Sequence, residues 1–192
     1  MKVAGYIFDL DGTIYRDDRL TFGACQTIRI LQKRGRKNVF LSNKPLFSRK
    51  AYAEKLWTLG IPAQEDEVIT SSCVLARELA KEDGEIPDAA AVIAAPQATT
   101  GRKVEKIFGK PSRYMIQTAL EVLGLPPEKC AMVGDRLETD IRMAKEKGLT
   151  AILVFTGVTR PEDLRNSPFQ PDYVLSSLAE LPALDEKIGG DE

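Results

Sequence analysis

Val3-Ala4-Gly5-Tyr6-Ile7-Phe8-Asp9-Leu10-Asp11-Gly12-Thr13 is the stretch on which the reading of this chain turns. An apolar, β-branched and aromatic run leads into two carboxylates one residue apart, and Gly12 closes it. That pattern predicts a buried strand ending at the aspartates. Carboxylates at the C-terminal end of a buried parallel strand lie where open α/β sheets bind their ligands. A period of two places Asp9 and Asp11 on the same side of an extended chain, so their oxygens can converge on one cation or substrate. A plain strand followed by an Asp-Gly turn is the simpler alternative.

Outward from that stretch, strand-like and helix-like segments alternate. Ala24 to Arg34 carries Ala24, Ile28 and Leu31 on one helical face, and Asn38 to Leu41 follows as a strand ending at Ser42-Asn43. Ser48 caps a helix with Tyr52, Leu56 and Leu59, closed by Gly60 and Pro62. Val68–Ile69 is a strand, and Ser71 or Ser72 opens a helix through Leu75 and Leu79. Val104 to Phe108 reads as a strand. Ser112 caps a helix carrying Ile116, Leu120 and Leu123, with Gly124 past its end. Strands at Cys130–Val133, Ala151–Phe155 and Tyr173–Leu175 complete the set, with a helix from Thr139 to Lys147 ending at Gly148. Such alternation predicts a mainly parallel sheet flanked by helices.

Composition bounds the function. At 192 residues the chain fits one domain, 1–192, and its 43% hydrophobic content supports a real core. A formal net charge of −1 gives no electrostatic case for a nucleic-acid or membrane partner, and no apolar run approaches membrane-spanning length. The basic cluster Lys33, Arg34, Arg36 and Lys37 complements the C-terminal dipole of a helix ending at Gly35. Three isolated cysteines and an N-terminus that enters a strand without a signal-peptide pattern point to a reducing cytoplasm. The chain has no histidine, which excludes Ser-His-Asp and Cys-His catalysis, histidine-ligated zinc and phosphohistidine chemistry. Acid–base work falls to carboxylates, lysines, tyrosines or cysteines.

Four segments share a position at strand ends: Asp9 to Thr13; Ser42-Asn43; Gly109-Lys110-Pro111-Ser112; and Gly134-Asp135-Arg136-Leu137-Glu138-Thr139-Asp140. In that order, and with Thr99-Gly101-Arg102-Lys103, they resemble the haloacid-dehalogenase-like phosphatases, most closely the NagD and para-nitrophenyl-phosphatase branch. The resemblance implies a Rossmannoid three-layer sandwich and Mg²⁺-dependent hydrolysis of phosphomonoesters through an aspartyl-phosphate. Carried over by position, Asp9 is the nucleophile and Asp11 the acid–base partner. Ser42, with the Asn43 backbone, binds phosphoryl oxygens, and Lys110 neutralises phosphate and nucleophile. The cation falls to the Asp9 side chain, the Asp11 carbonyl and Asp135, while Asp140 holds a metal-bound water or orients Lys110.

The resemblance fails in one interval. The NagD-like branch carries a complete α/β cap domain between the positions of Asn43 and Lys110. Here Ile86 to Gly101 already reads as the segment returning to the core. Residues 83–104 fall well below the roughly 50-residue lower end for a domain. The cap is therefore expected to be missing, with 83–104 its remnant or bypass; a cap reduced to a hairpin or helix is the alternative, and Pro96 would end any helix there. An open site predicts a slow and broad phosphatase, an enzyme for a bulky phosphorylated substrate, or a homo-oligomer whose neighbour covers the site. A phosphoacceptor of receiver type and a catalytically idle interaction module are the competing classes. A receiver would not need Asp11.

Overall fold

A computed structural model of the chain describes residues 2–44, 46–79 and 108–189. Its elements, in chain order, are β1 (Gly5–Asp9), β2 (Tyr15–Arg16), β3 (Arg19–Leu20), α1 (Ala24–Lys33), β4 (Lys37–Ser42), α2 (Arg49–Thr58), β5 (Val68–Thr70), α3 (Ser71–Leu79), α4 (Arg113–Leu123), β6 (Cys130–Gly134), α5 (Arg142–Lys147), β7 (Thr150–Val154), β8 (Tyr173–Leu175) and α6 (Leu181–Ile188). Six strands form one parallel sheet in the order β5-β4-β1-β6-β7-β8.

The strands are buried on both faces, which is why β1, β6 and β7 read as unbroken apolar runs rather than alternating ones. Period-two alternation divides them between two cores. Tyr6, Phe8, Phe40, Val133, Ile152 and Val154 pack with Ile28, Leu31, Leu56 and Leu181 from α1, α2 and α6. Ile7, Val39, Leu41, Met132 and Leu153 pack with Val74, Met115, Ile116 and Ile141 on the other face, under α3, α4 and α5. The result is the three-layer α/β sandwich expected. Phe8 sits at its centre, paired with Phe40 and Val133 in the neighbouring strands, and its ring lies 6.1 Å from that of Phe40. Full burial of a side chain of that size contributes about 2–3 kcal/mol.

The helix signals hold where they have a local cause. The Ser48 and Ser112 hydroxyls accept from the amides of Ala51 and Tyr114 at 3.2 Å, and Gly124 and Gly148 end α4 and α5 in the left-handed region. The expected helix from Thr139 is instead divided. Leu137–Ile141 forms a wider π-type turn, in which the Ile141 amide reaches back to the Arg136 carbonyl, and α5 begins only at Arg142. Wide turns of this kind re-aim a side chain, and here it is Asp140. Val104 to Phe108 does not become a described strand: Phe108 is irregular, and 104–107 lie outside the described residues. The 83–104 interval, Thr99 to Lys103 and Pro96 lie outside them too. Two further elements appear that the sequence expectations above do not include: the β2–β3 hairpin, whose turn holds Asp17 at a positive φ, and α6, which has Pro182 in its first turn and buries Leu181 and Leu184.

The connections place the site. From β1 the chain moves outward through β4 and β5, then returns to the other side of β1 through β6, β7 and β8. The crevice above the C-terminal ends of β1, β4 and β6 is the point where strand order reverses, the usual ligand position in such a sheet.

Candidate active site

Asp9 ends β1, Ser42 ends β4 and Asp135 follows β6, so three of the sequence-derived residues reach the crevice from adjacent strands. Lys110 arrives on the turn before α4, after which the peptide bond to Pro111 is cis. Asp9, Asp135, Asp140 and Lys110 are all buried, the two latter aspartates completely. The Lys110 ammonium contacts the Asp9 Oδ1 and lies 2.9 Å from the Asp140 Oδ1.

Charge is unbalanced in this cluster. One ammonium faces three carboxylates, each offering an oxygen within 4.8 Å of the others. Burial pushes the Asp9 carboxyl above its ordinary range, against the pull of Lys110. Burial also raises Asp135. For Lys110, burial favours the neutral amine, but Asp140 and Asp9 outweigh it and hold the ammonium above its ordinary pKa. One further atom is orphaned: the Asp135 Oδ1 is buried without a hydrogen-bond partner, while its Oδ2 accepts from the Val158 amide at 2.6 Å. A buried anionic oxygen with no partner is costly unless something else binds it. Oxygen donors, excess negative charge and an orphaned carboxylate atom together fit a hard divalent cation.

Backbone geometry allows that packing. Gly12 has φ 92°, and a Cβ there would stand 2.6 Å from the Asp135 Oδ2, while a Cβ on Gly157 would overlap the same carboxylate. Any side chain at Gly157 would displace Asp135. Gly157 carried no signal in the sequence, because only the folded chain brings it against a residue of another strand end.

The remaining predicted residues are placed differently from a simple convergence. Strand geometry stops at Asp9. The chain then turns back, with the Ile14 amide on the Leu10 carbonyl and the Gly12 amide on that of Tyr15. Asp11 consequently stands outside the carboxylate cluster, and its Oδ1 meets the Lys44 ammonium at 2.8 Å. The same-side expectation for Asp9 and Asp11 assumed an extended backbone that the Gly12 turn interrupts. Asn43 also acts through its side chain. Its Oδ1 accepts from the Lys110 amide at 2.5 Å and its Nδ2 donates to the Lys110 carbonyl at 3.2 Å, tying β4 to the lysine's backbone. The buried Ser42 Oγ accepts from the Lys44 amide at 3.2 Å, and the Thr13 hydroxyl donates to the Asp9 Oδ2 at 3.5 Å.

This combination, an aspartate at the end of the central strand with a lysine and two further aspartates from later strand ends, defines a hydrolase of the haloacid dehalogenase type. The profile of haloacid dehalogenase-like hydrolases matches residues 6–103 and that of HAD-hydrolase-like proteins residues 107–181, and the chain belongs to this family. It is similar to the sugar-phosphatase AraL of Bacillus subtilis, 28% identical over 96% of this chain and 94% of the relative. It is 24% identical to the ribonucleotide monophosphatase NagD of Escherichia coli, over 96% of this chain and all of that one. Among solved structures, the 4-nitrophenylphosphatase of Thermotoga maritima superposes with a TM-score of 0.87 at 28% identity, covering 94% of this chain and 97% of the other. These relatives place it in the NagD-like branch, as a phosphatase. The AraL alignment runs over 257 residues against the 192 of this chain, so at least 65 aligned positions (257 less 192) have no counterpart here.

Proposed function

We propose that the protein hydrolyses small phosphomonoesters through an aspartyl-phosphate at Asp9, with Mg²⁺ held by Asp9, the Asp11 carbonyl and Asp135. The observation that carries this reading is the buried Lys110 ammonium shared by Asp9 and Asp140 beside the orphaned Asp135 oxygen. When bound, the cation supplies the positive charge that lets an anionic nucleophile approach a phosphate dianion.

The chain's own residues do the rest. The Asp9 carboxylate attacks phosphorus as the ester P–O bond breaks, and Asp11 gives its proton to the departing alkoxide. Water then attacks the aspartyl-phosphate, Asp11 takes the water's proton, and inorganic phosphate leaves with Asp9 restored. Ser42 and the Asn43 backbone hydrogen-bond the phosphoryl oxygens. Lys110 stabilises the developing charge, Asp140 orients that lysine, and the Asn43 side chain holds its backbone in place.

Sugar-phosphatase and ribonucleotide monophosphatase relatives support small phosphorylated metabolites as substrates. The aligned positions without a counterpart support a missing or shortened cap, with 83–104 as its bypass, and so a site that excludes water poorly and discriminates weakly. Free cysteines at 25, 73 and 130 support a reducing, cytoplasmic setting, and no described helix is long and apolar enough to cross a membrane.

The test is release of phosphate from para-nitrophenyl phosphate with and without Mg²⁺. Wild type is expected to turn over only with the cation and Asp9→Asn to be inactive. Wild type releasing no phosphate, or Asp9→Asn matching it, defeats the reading. Asp11→Asn separates a hydrolase from a phosphoacceptor, because only the hydrolase loses function with it.

A further inference from the structure

The residue beside Asp11 has no role in the chemistry above. Lys44 lies just past the end of β4, its backbone pinned at both polar atoms. Its amide donates to the Ser42 Oγ at 3.2 Å, and its carbonyl accepts from the Tyr52 hydroxyl at 2.9 Å. From that fixed base the side chain sets its ammonium 2.8 Å from the Asp11 Oδ1. The pair is open to solvent, with the lysine side chain 57% exposed and the aspartate 31%.

Position gives this charge its meaning. Asp11 is the group that faces the ester oxygen, so an ammonium on its carboxylate lies within about 6–7 Å of that oxygen, a hydrogen bond on either side of one carboxyl group. The first atoms of the leaving group occupy this space. Among the described residues, Lys110 is buried between Asp9 and Asp140, and the Arg16 guanidinium donates to the Gly157 carbonyl at 2.6 Å. Lys44 already holds a carboxylate, and a second anion arriving on a substrate would meet it without desolvating a buried charge.

We propose that Lys44 selects the leaving group, favouring phosphomonoesters that carry a second anionic group two or three atoms from the ester oxygen. The proposal rests on the phosphatase reading and extends it. With a shortened cap, selection falls to the core residues around the site, and among the described residues Lys44 is the cation paired with Asp11. Either a carboxylate or a second phosphate would satisfy it.

Three alkyl phosphates that differ in leaving-group charge test this with Mg²⁺ present: 3-phosphoglycerate (anionic), glycerol 3-phosphate (neutral) and phosphoethanolamine (cationic). 2-Phosphonoethyl phosphate, whose phosphonate stands as many atoms from the ester oxygen as the carboxylate of 3-phosphoglycerate, separates a phosphate-type preference from a carboxylate one. The readout is the ratio of kcat/KM values within each variant, in which any effect of Lys44 acting through Asp11 cancels. Wild type is expected to favour 3-phosphoglycerate over glycerol 3-phosphate. That ratio should fall about fivefold in Lys44→Met, the size of one solvent-exposed ion pair. Lys44→Arg should keep the order, and Lys44→Glu should invert it in favour of phosphoethanolamine. Ratios unchanged across the variants, including an equal fall for every substrate, would overturn the proposal while leaving the phosphatase reading intact. Absence of phosphate release from all four substrates by wild type would overturn that reading and the proposal together.

Discussion

At the scale of single residues, the site is a problem in charge. Lys110 is the one buried cation described among three buried carboxylates, so its removal leaves Asp9 and Asp140 facing each other without compensation. Breaking a buried pair from one side costs about 3–5 kcal/mol. Lys110→Met is expected to lose that much stability by chemical denaturation in cation-free buffer, and to lose about 10²–10³ in kcat. Magnesium should restore part of the stability, since a ligand at 100 times its Kd adds about 2.7 kcal/mol. The same titration should raise the Tm of wild type and leave Asp135→Asn unmoved; equal shifts in both would place the cation elsewhere. Asn43→Ala removes two hydrogen bonds to the Lys110 backbone, each worth about 1 kcal/mol. It should lower kcat more than it raises KM, because it disturbs the position of a charge rather than a contact to the substrate.

At the scale of elements, the useful comparison is between what caps and turns dictate locally and what the site demands. Helix α4 follows local rules at both ends, with the Ser112 hydroxyl on the Tyr114 amide and Gly124 in the left-handed region. Ser112→Ala should cost about 1 kcal/mol in thermal unfolding with little effect on KM. The π-type turn from Leu137 to Ile141 does not follow its local sequence, which reads as ordinary helix. A long-range contact holds it, because Asp140 must reach Lys110; locally, the Asp140 Oδ2 also accepts from the Arg136 amide at 3.2 Å. Helical periodicity therefore identified the helix and misplaced its start. The β2–β3 hairpin escaped for another reason, since two-residue strands hold too few positions for alternation to register.

At the scale of the whole molecule, the opposite end of the sheet is tied down by charge. Asp185 on α6 is almost fully buried and accepts from the Tyr6 hydroxyl at 2.7 Å, Arg34 at 3.0 Å and Arg36 at 3.0 Å. This joins the first strand to the last helix across most of the chain. Burial raises the Tyr6 hydroxyl, and the Tyr15 hydroxyl likewise, above their ordinary pKa near 10, and pushes the Cys130 thiol up to about 11 from near 9. Above about pH 9 the unfolded chain releases protons that the folded chain retains, so stability falls as pH rises. Tm should decline from pH 9 to 11. Tyr6→Phe should unfold earlier at neutral pH yet show a shallower alkaline decline; an identical slope would remove Tyr6 from the titrating set.

The sequence alone determined the layered α/β fold, because burial on both faces leaves unbroken apolar strands and periodic helices that any reader of the chain can see. It also determined the order of the candidate site residues, since Asp9, Ser42, Lys110 and Asp135 each sit at a strand end or a helix entry with a local signature. Tertiary structure alone decided how those residues meet. The Gly12 turn sent Asp11 to Lys44 rather than into the aspartate cluster, Gly157 made room for Asp135, and Asn43 gripped the backbone of a residue 67 positions away. These contacts join segments remote in the chain, and neither periodicity nor propensity encodes distances between strand ends.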